Sequence, residues 1–212
     1  MTGQPGSCAQ QGVDILVAKI GPDQFGQSQI LDGIRRADNF RMAPFTTIND
    51  AMVSCSLTGP TSLCFRFSSE GASKGYANLE WDLVSGSGRE TFAGWFVVEI
   101  GLLNELRKRG IGIGFYRLLL SRGLILFSGV EQTPSSMAVW RKLLDDPSIE
   151  TRVLNGRPDD PWADPDSTIM ARARGSASAV ANTSALADWL NLSQDPGVCD
   201  PSVLFEAIFT AP

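Results

Sequence analysis

Histidine is absent from the 212 residues of this chain. Without an imidazole, no Ser-His-Asp or Cys-His nucleophile can be assembled. Cysteine is scarce: Cys8, Cys55, Cys64 and Cys199 are the whole supply, and no two stand at C-x-x-C spacing. A zinc centre would have to be gathered from scattered thiolates or carboxylates, so no metal is expected. Positive charge is in deficit, with 18 Lys and Arg against 23 Asp and Glu and a net charge of -5. Neutralising the phosphates of a nucleic acid takes clustered positive charge, so direct nucleic-acid binding is not expected. No apolar run reaches the ~18 residues that a membrane-spanning helix requires. Residues 1–11 are polar and lack a basic stretch followed by an apolar one. No secretory leader is therefore expected, and the thiols should be free in a reducing, cytoplasmic compartment.

What is present suffices for a folded domain. Hydrophobic residues make up 43% of the chain and charged residues 19%, a balance that buries a core. The expected organisation is an N-terminal arm at 1–12, a single domain at 13–174 and a C-terminal tail at 175–212, where the composition shifts to Ala, Ser and Asn. The tail carries an apolar patch at 203–209, suited either to docking on a partner or to packing on its own domain.

Within the domain, residues 13–18 read as a short strand. Ile30, Leu31 and Ile34 predict a helix over 28–37 with Ser28 as its cap, and a second short helix is expected over 48–53. Leu63, Phe65 and Phe67 alternate and predict a strand over 62–68, with further strands over 76–84 and 94–103. Gly and Ser clusters separate the three, as in an antiparallel meander. Phe115, Leu118, Leu119 and Arg122 predict a helix over 115–122, with a short strand at 124–127 after it. Thr133 as N-cap and Pro134 at the first helical position open another helix that stops near Leu144. Residues 149–154 and 168–173 are expected to pair as a final hairpin across the acidic, Pro-rich loop at 157–166. The fold class is α/β in the broad sense (α+β), a mixed, mostly antiparallel sheet flanked by helices.

The run R-K-R-G-I-G-I-G at 107–114 lies between a long strand and a helix. Glycines let a backbone approach a ligand closely, and the amides of a helix start point outward with the positive end of the dipole behind them. Such a turn is either a solvated basic helix start or a pyrophosphate cradle. Two other phosphate motifs are excluded. No Gly-Lys-Ser/Thr exists for a P-loop, and glycines at 110, 112 and 114 do not fit G-x-G-x-x-G.

Arg109, Gly112 and Gly114 fit the pattern Q/R-x-x-G-x-G/A, the acyl-CoA signature of the GNAT superfamily of N-acyltransferases. The stretch A-V-W-R-K-L at 138–143 resembles that family's second motif, which often reads A-x-x-L-Y-x-K-L. The sharp part of the resemblance covers about residues 95–143, and the strand order extends it over 63–173. It implies a GNAT-like fold that binds acetyl-CoA and transfers its acetyl group to an amine of a protein or small molecule. The strand before the glycine turn and the strand after the helix would splay to admit the pantetheine arm. Phe96, Val98 and Ile100 would then lie at the thioester, with Arg107, Arg109, Gly110, Ile111, Gly112 and Gly114 at the pyrophosphate.

Glu99, in the apolar V-V-E-I stretch, is either a base in that cleft or a surface residue on the strand's polar side; Glu80 and Glu131 are weaker candidates. Trp140 stands where the family often has a tyrosine acid, and it lies either near the thioester or in the core. Its indole N–H donates a hydrogen bond but is no acid at neutral pH. Ser128 and Ser135 are possible substitutes, while Tyr116 belongs to the wrong helix. The stretch 127–143 is also similar to the S-D-x-x-Q-T-P-x-x-x-x-x-W-x-x-L run of GNAT-like bacteriophage proteins, with Gly129 in place of the aspartate. That likeness implies the host cytoplasm or the virion as location. Its alternative role is a non-catalytic structural protein that forms a homo-oligomer or binds other phage proteins.

Overall fold

A computed structural model describes residues 24–59, 61–86, 91–129, 133–155 and 167–175. The arm, the strand at 13–18, Glu131, the loop at 157–166 and the tail lie outside the described residues. The helical spacing around Ile30 produces α1 (Gln24–Asp38), which starts a turn earlier than expected, so Ser28 is inside the helix and does not cap it. Ile30, Ile34 and Ala37 form its buried stripe. Arg35 and Arg36 occupy its last turn, where the helix dipole favours cations.

Residues 48–53, expected as a helix, form a hairpin instead. β1 (Ala43–Ile48) and β2 (Ala51–Gly59) join through Asn49 and Asp50, whose φ values are 44° and 67°. Ile48 pairs with Ala51 across that turn. A two-residue turn with both φ positive matches the twist of its flanking strands, and Asn and Asp are the non-glycine residues that best tolerate it. Burial then alternates as a strand requires, with Ala51 and Val53 inside and Met52 exposed. β3 (Ser62–Ser69) and β4 (Ala72–Ser85) use the same device at Glu70 and Gly71, φ 54° and 76°. With β5 (Thr91–Leu102) they complete a five-stranded antiparallel run.

The chain next crosses over. α2 (Ile111–Ser121) lies against the sheet and delivers β6 (Leu126–Phe127) parallel to β5. α3 (Pro134–Leu144) opens as the sequence indicates: Thr133 Oγ1 accepts a hydrogen bond from Ser136 N at 3.2 Å, with Pro134 in the first turn. β7 (Ile149–Val153) and β8 (Ile169–Ala173) pair antiparallel. The eight strands run in the order β1-β2-β3-β4-β5-β6-β8-β7, antiparallel except for β5–β6. With three helices among the described residues, the architecture is α+β around one large, mostly antiparallel sheet.

Neighbouring residues of a strand face opposite sides, so the sheet carries a core on each face. Phe65, Phe67, Leu79, Trp95 and Val97 meet Phe115, Leu119, Trp140 and Leu143 of α2 and α3. On the other face Cys64 and Tyr76 meet Ile30, Ile34 and Ala37 of α1. Phe115 stands edge-on to Phe65 and Phe67 with ring centroids 4.9 and 5.1 Å apart, and each such pair adds about 0.5–1.5 kcal/mol beyond its buried area. Among the described residues no helix is long and apolar enough to cross a membrane.

Candidate functional site

The parallel contact between β5 and β6 is very short. It consists of Trp95 opposite Leu126 and Phe96 opposite Phe127. Beyond Phe127 the chain turns to β8, with Ser128 N donating to Ile169 O at 2.8 Å. β5 continues for six more residues, and among the described residues no strand pairs with it on that side. Opposite, the β4–β5 register slips at the same level: Leu79 pairs with Val97 and Asn78 with Glu99, which leaves Val98 as the extra residue of a β-bulge. A bulge bends its strand and re-aims the side chains beside it. Val98 is accordingly 55% exposed, while Ile100 is half-buried and returns to the main core. The outcome is an open strand edge starting at the bulge.

The glycine run lies one short turn after that edge. Gly110 is the N-cap of α2 with φ 74°, a left-handed conformation that glycine adopts without penalty. No side chain caps this helix and its first turn holds no acidic residue, so its leading N–H groups point outward unpartnered by side chains. The helix begins at Ile111, four residues earlier than the sequence spacing predicts, so Gly112 and Gly114 belong to its first turn. Burial of Ile111 and Phe115 overrides their low helix propensity. A Cβ on Gly114 would come within 2.8 Å of Ile48 Cγ2, so the helix start sits hard against the β1–β2 turn. That turn is tied on by two hydrogen bonds: Asn49 Nδ2 donates to Arg109 O at 2.8 Å, and an Arg109 guanidinium N–H donates to Asn49 O at 3.0 Å. Arg109 is also 3.8 Å from the Asp50 carboxylate, and Arg107 Nε donates to Leu102 O at 2.8 Å. Both side chains are exposed with Lys108 between them, leaving guanidinium N–H groups for an anion.

On the α1 face, Glu99 sits beside the bulge and is 41% exposed. One carboxylate oxygen accepts a hydrogen bond from the Tyr76 hydroxyl, and the other is 3.5 Å from an Arg36 guanidinium nitrogen. The Tyr76 ring occupies a slot between two glycines. A Cβ on Gly33 of α1 would overlap ring atoms Cε1 and Cζ, and one on Gly101 of β5 would come within 2.6 Å of Cε1. Burial, then the hydrogen bond to Glu99 and its negative charge, push the Tyr76 phenol above its ordinary range. The phenol therefore stays protonated, as a donor to the carboxylate. Neither Tyr76 nor Arg36 was legible as a site residue; only the register of β4 on β5 and the docking of α1 bring them to Glu99.

Trp140 lies elsewhere. It is 1% exposed within the main core, edge-on to Tyr116 at 5.7 Å between ring centroids. Of the two readings left open for it, packing describes its place. Ser128 is buried, its Oγ accepting from Ile169 N at 2.9 Å, while Ser135 is exposed on the first turn of α3. Glu80 is exposed on β4. Among the described residues no group of three or more Cys, Asp and Glu side chains is placed to hold a metal ion. The arrangement thus offers a helix start without a side-chain cap, an open strand edge and a half-exposed carboxylate beside that edge. No protein-family model and no curated protein sequence matches the chain.

Proposed function

We propose that this chain is an acetyl-CoA-dependent N-acetyltransferase with a GNAT-like fold. The observation that carries the reading is the end of the β5–β6 pairing at Phe96, with the N-terminus of α2, uncapped by any side chain, behind Gly110 after the turn that ends β5. A pyrophosphate accepts hydrogen bonds from the leading amides of α2, with Arg107 and Arg109 adding charge. The backbone at Val98 and Ile100 is free to pair with pantetheine amides along the open edge of β5. Glu99, beside that edge, takes the proton from the incoming amine. The amine nitrogen then attacks the thioester carbonyl carbon; the C–N bond forms, the C–S bond breaks, and the departing thiolate takes a proton from solvent. Arg36 and Tyr76 hold the carboxylate in place, and positioning of this kind supplies much of the rate. Trp140 supports α2 from the core and takes no part in proton transfer.

Calorimetric titration of acetyl-CoA into the full chain tests this. Gly112→Glu is the informative variant, because the nearest atom to a Cβ there is Val139 Cγ2 at 3.9 Å, an ordinary van der Waals contact. A negative charge at the cradle is expected to weaken binding at least about tenfold, the scale of one lost charge-assisted hydrogen bond. Arg109→Glu should act in the same direction. No binding at millimolar acetyl-CoA would sink the reading. A second reading, a virion protein that keeps the fold without turnover, is favoured by the core position of Trp140 where the family often has a tyrosine acid. It predicts acetyl-CoA binding without transfer to any amine, and an oligomer that dissociates on truncation after Arg174.

A further inference from the structure

A cleft of about 370 Å³ opens on the α1 face of the sheet. It is lined by Arg36 and Ala37 at the C-terminal end of α1, by Phe40 just after it, by Asn78 and Glu80 of β4, and by Val98 of the β5 bulge. Arg36 and Val98 connect the cleft to the candidate base, because Arg36 pairs with Glu99 and Val98 precedes it in the chain. Glu99 itself does not line the cleft, but its strand neighbour Val98, its cross-strand partner Asn78 and its ion-pair partner Arg36 all do.

Three features set the chemistry of its occupant. The volume is at the low end of small-molecule sites, about 300–1,000 Å³, which fits a compact amine. The positive charge of Arg36 is matched by Glu99, whereas Glu80 has no cationic partner among the described residues. The end of α1 that lines the cleft is its negative dipole end, where Arg36 O and Ala37 O accept 3.2 Å bonds from Asn39 N and Phe40 N. Among the described residues Glu80 thus leaves an unmatched negative charge in a cleft whose apolar lining includes Ala37 and Phe40.

We infer that the acceptor is a small primary amine with a second cationic group: the cation rests against Glu80, and the reacting nitrogen is presented to Glu99 at the bulge. This rests on the acetyltransferase reading for what happens to the amine, but the cleft can be tested by itself. Titrate 1,4-diaminobutane, butylamine and acetyl-CoA separately into the full chain and into Glu80→Gln. The diamine should bind about threefold more tightly than butylamine, the scale of one partly exposed ion pair, and Glu80→Gln should erase that margin. Acetyl-CoA binding to the same variant reports that its fold is intact. Equal affinity for the two amines, or a margin that survives Glu80→Gln, overturns the inference whether or not acetyl-CoA binds. If acetyl-CoA fails to bind wild type, the acetyltransferase reading falls, while a diamine margin that depends on Glu80 still assigns the cleft to cationic amines.

Discussion

Gly33→Ala should reverse sign depending on what residue 76 is. In the interior of a helix such as α1, replacing Gly by Ala normally stabilises by about 0.8–1.0 kcal/mol. Here the new methyl would overlap Cε1 and Cζ of Tyr76. The ring cannot step back, because on its other side it lies against Gly101, where even a Cβ would be 2.6 Å from Cε1. Overpacking a tight site costs about 1–3 kcal/mol and sometimes more, so the net expectation is a loss of about 1–2 kcal/mol. In a Tyr76→Ala background the ring is gone, and the same change should stabilise by about 1 kcal/mol. The coupling energy is then about 2–3 kcal/mol, at the upper end for residues in direct contact. Urea denaturation of the four full-length proteins, followed by tryptophan fluorescence, measures it. Equal effects of Gly33→Ala in both backgrounds, or stabilisation in the presence of Tyr76, would refute the slot that positions Tyr76 on Glu99.

Phe115→Ala, at the centre of the main core, should cost about 3–5 kcal/mol in urea denaturation; a loss below 1 kcal/mol would contradict its full burial. Burial pushes the thiols of Cys55 and Cys64 up to about 11, so in a Cys8→Ser/Cys199→Ser protein both should react slowly with a disulfide reagent at neutral pH and quickly once unfolded. Prompt reaction of either thiol in the folded state would count against the structure. Arg172 donates hydrogen bonds of 3.0 and 2.8 Å to the two oxygens of Glu150 and holds its carboxyl below the usual range. A carboxyl with a lowered folded pKa stabilises above its unfolded value and loses that contribution as pH falls through the folded one. Glu150→Gln should therefore be less stable than wild type at neutral pH, with a difference that shrinks as the pH falls through the lowered folded value; a gap independent of pH would exclude this.

Much of the fold was legible because its periodicities are strong. Alternating Leu63, Phe65 and Phe67 marked β3, the i, i+3, i+4 spacing from Phe115 marked α2, and Thr133-Pro134 marked the start of α3. The β1–β2 hairpin was hidden because Asn49 and Asp50 are a weaker turn signal than an Asn-Gly pair, and the short apolar run around them fits either period. The glycines at 112 and 114 read as loop because local propensity opposes helix there, and only the buried partners of Ile111 and Phe115 outweigh it. At the site, the cradle was visible as a local string. Tyr76 was not, since its meaning depends on a glycine of α1 on one side and the β4–β5 register, Tyr76 opposite Gly101, on the other. Trp140 was ambiguous for the same reason: whether an aromatic at helical spacing faces a cleft or a core is decided by what packs on it, here Tyr116.

The central claim is that the open edge of β5 and the N-terminus of α2 form one binding surface for an acyl-CoA. Amide chemical shifts of the full chain during titration with acetyl-CoA test it most directly. The account predicts saturable shifts clustered at the amides of residues 97–100 and 110–114, with those at 110–114 also elicited by a CoA lacking the acetyl group. No shifts at millimolar ligand, or shifts confined to other parts of the sheet, would contradict it.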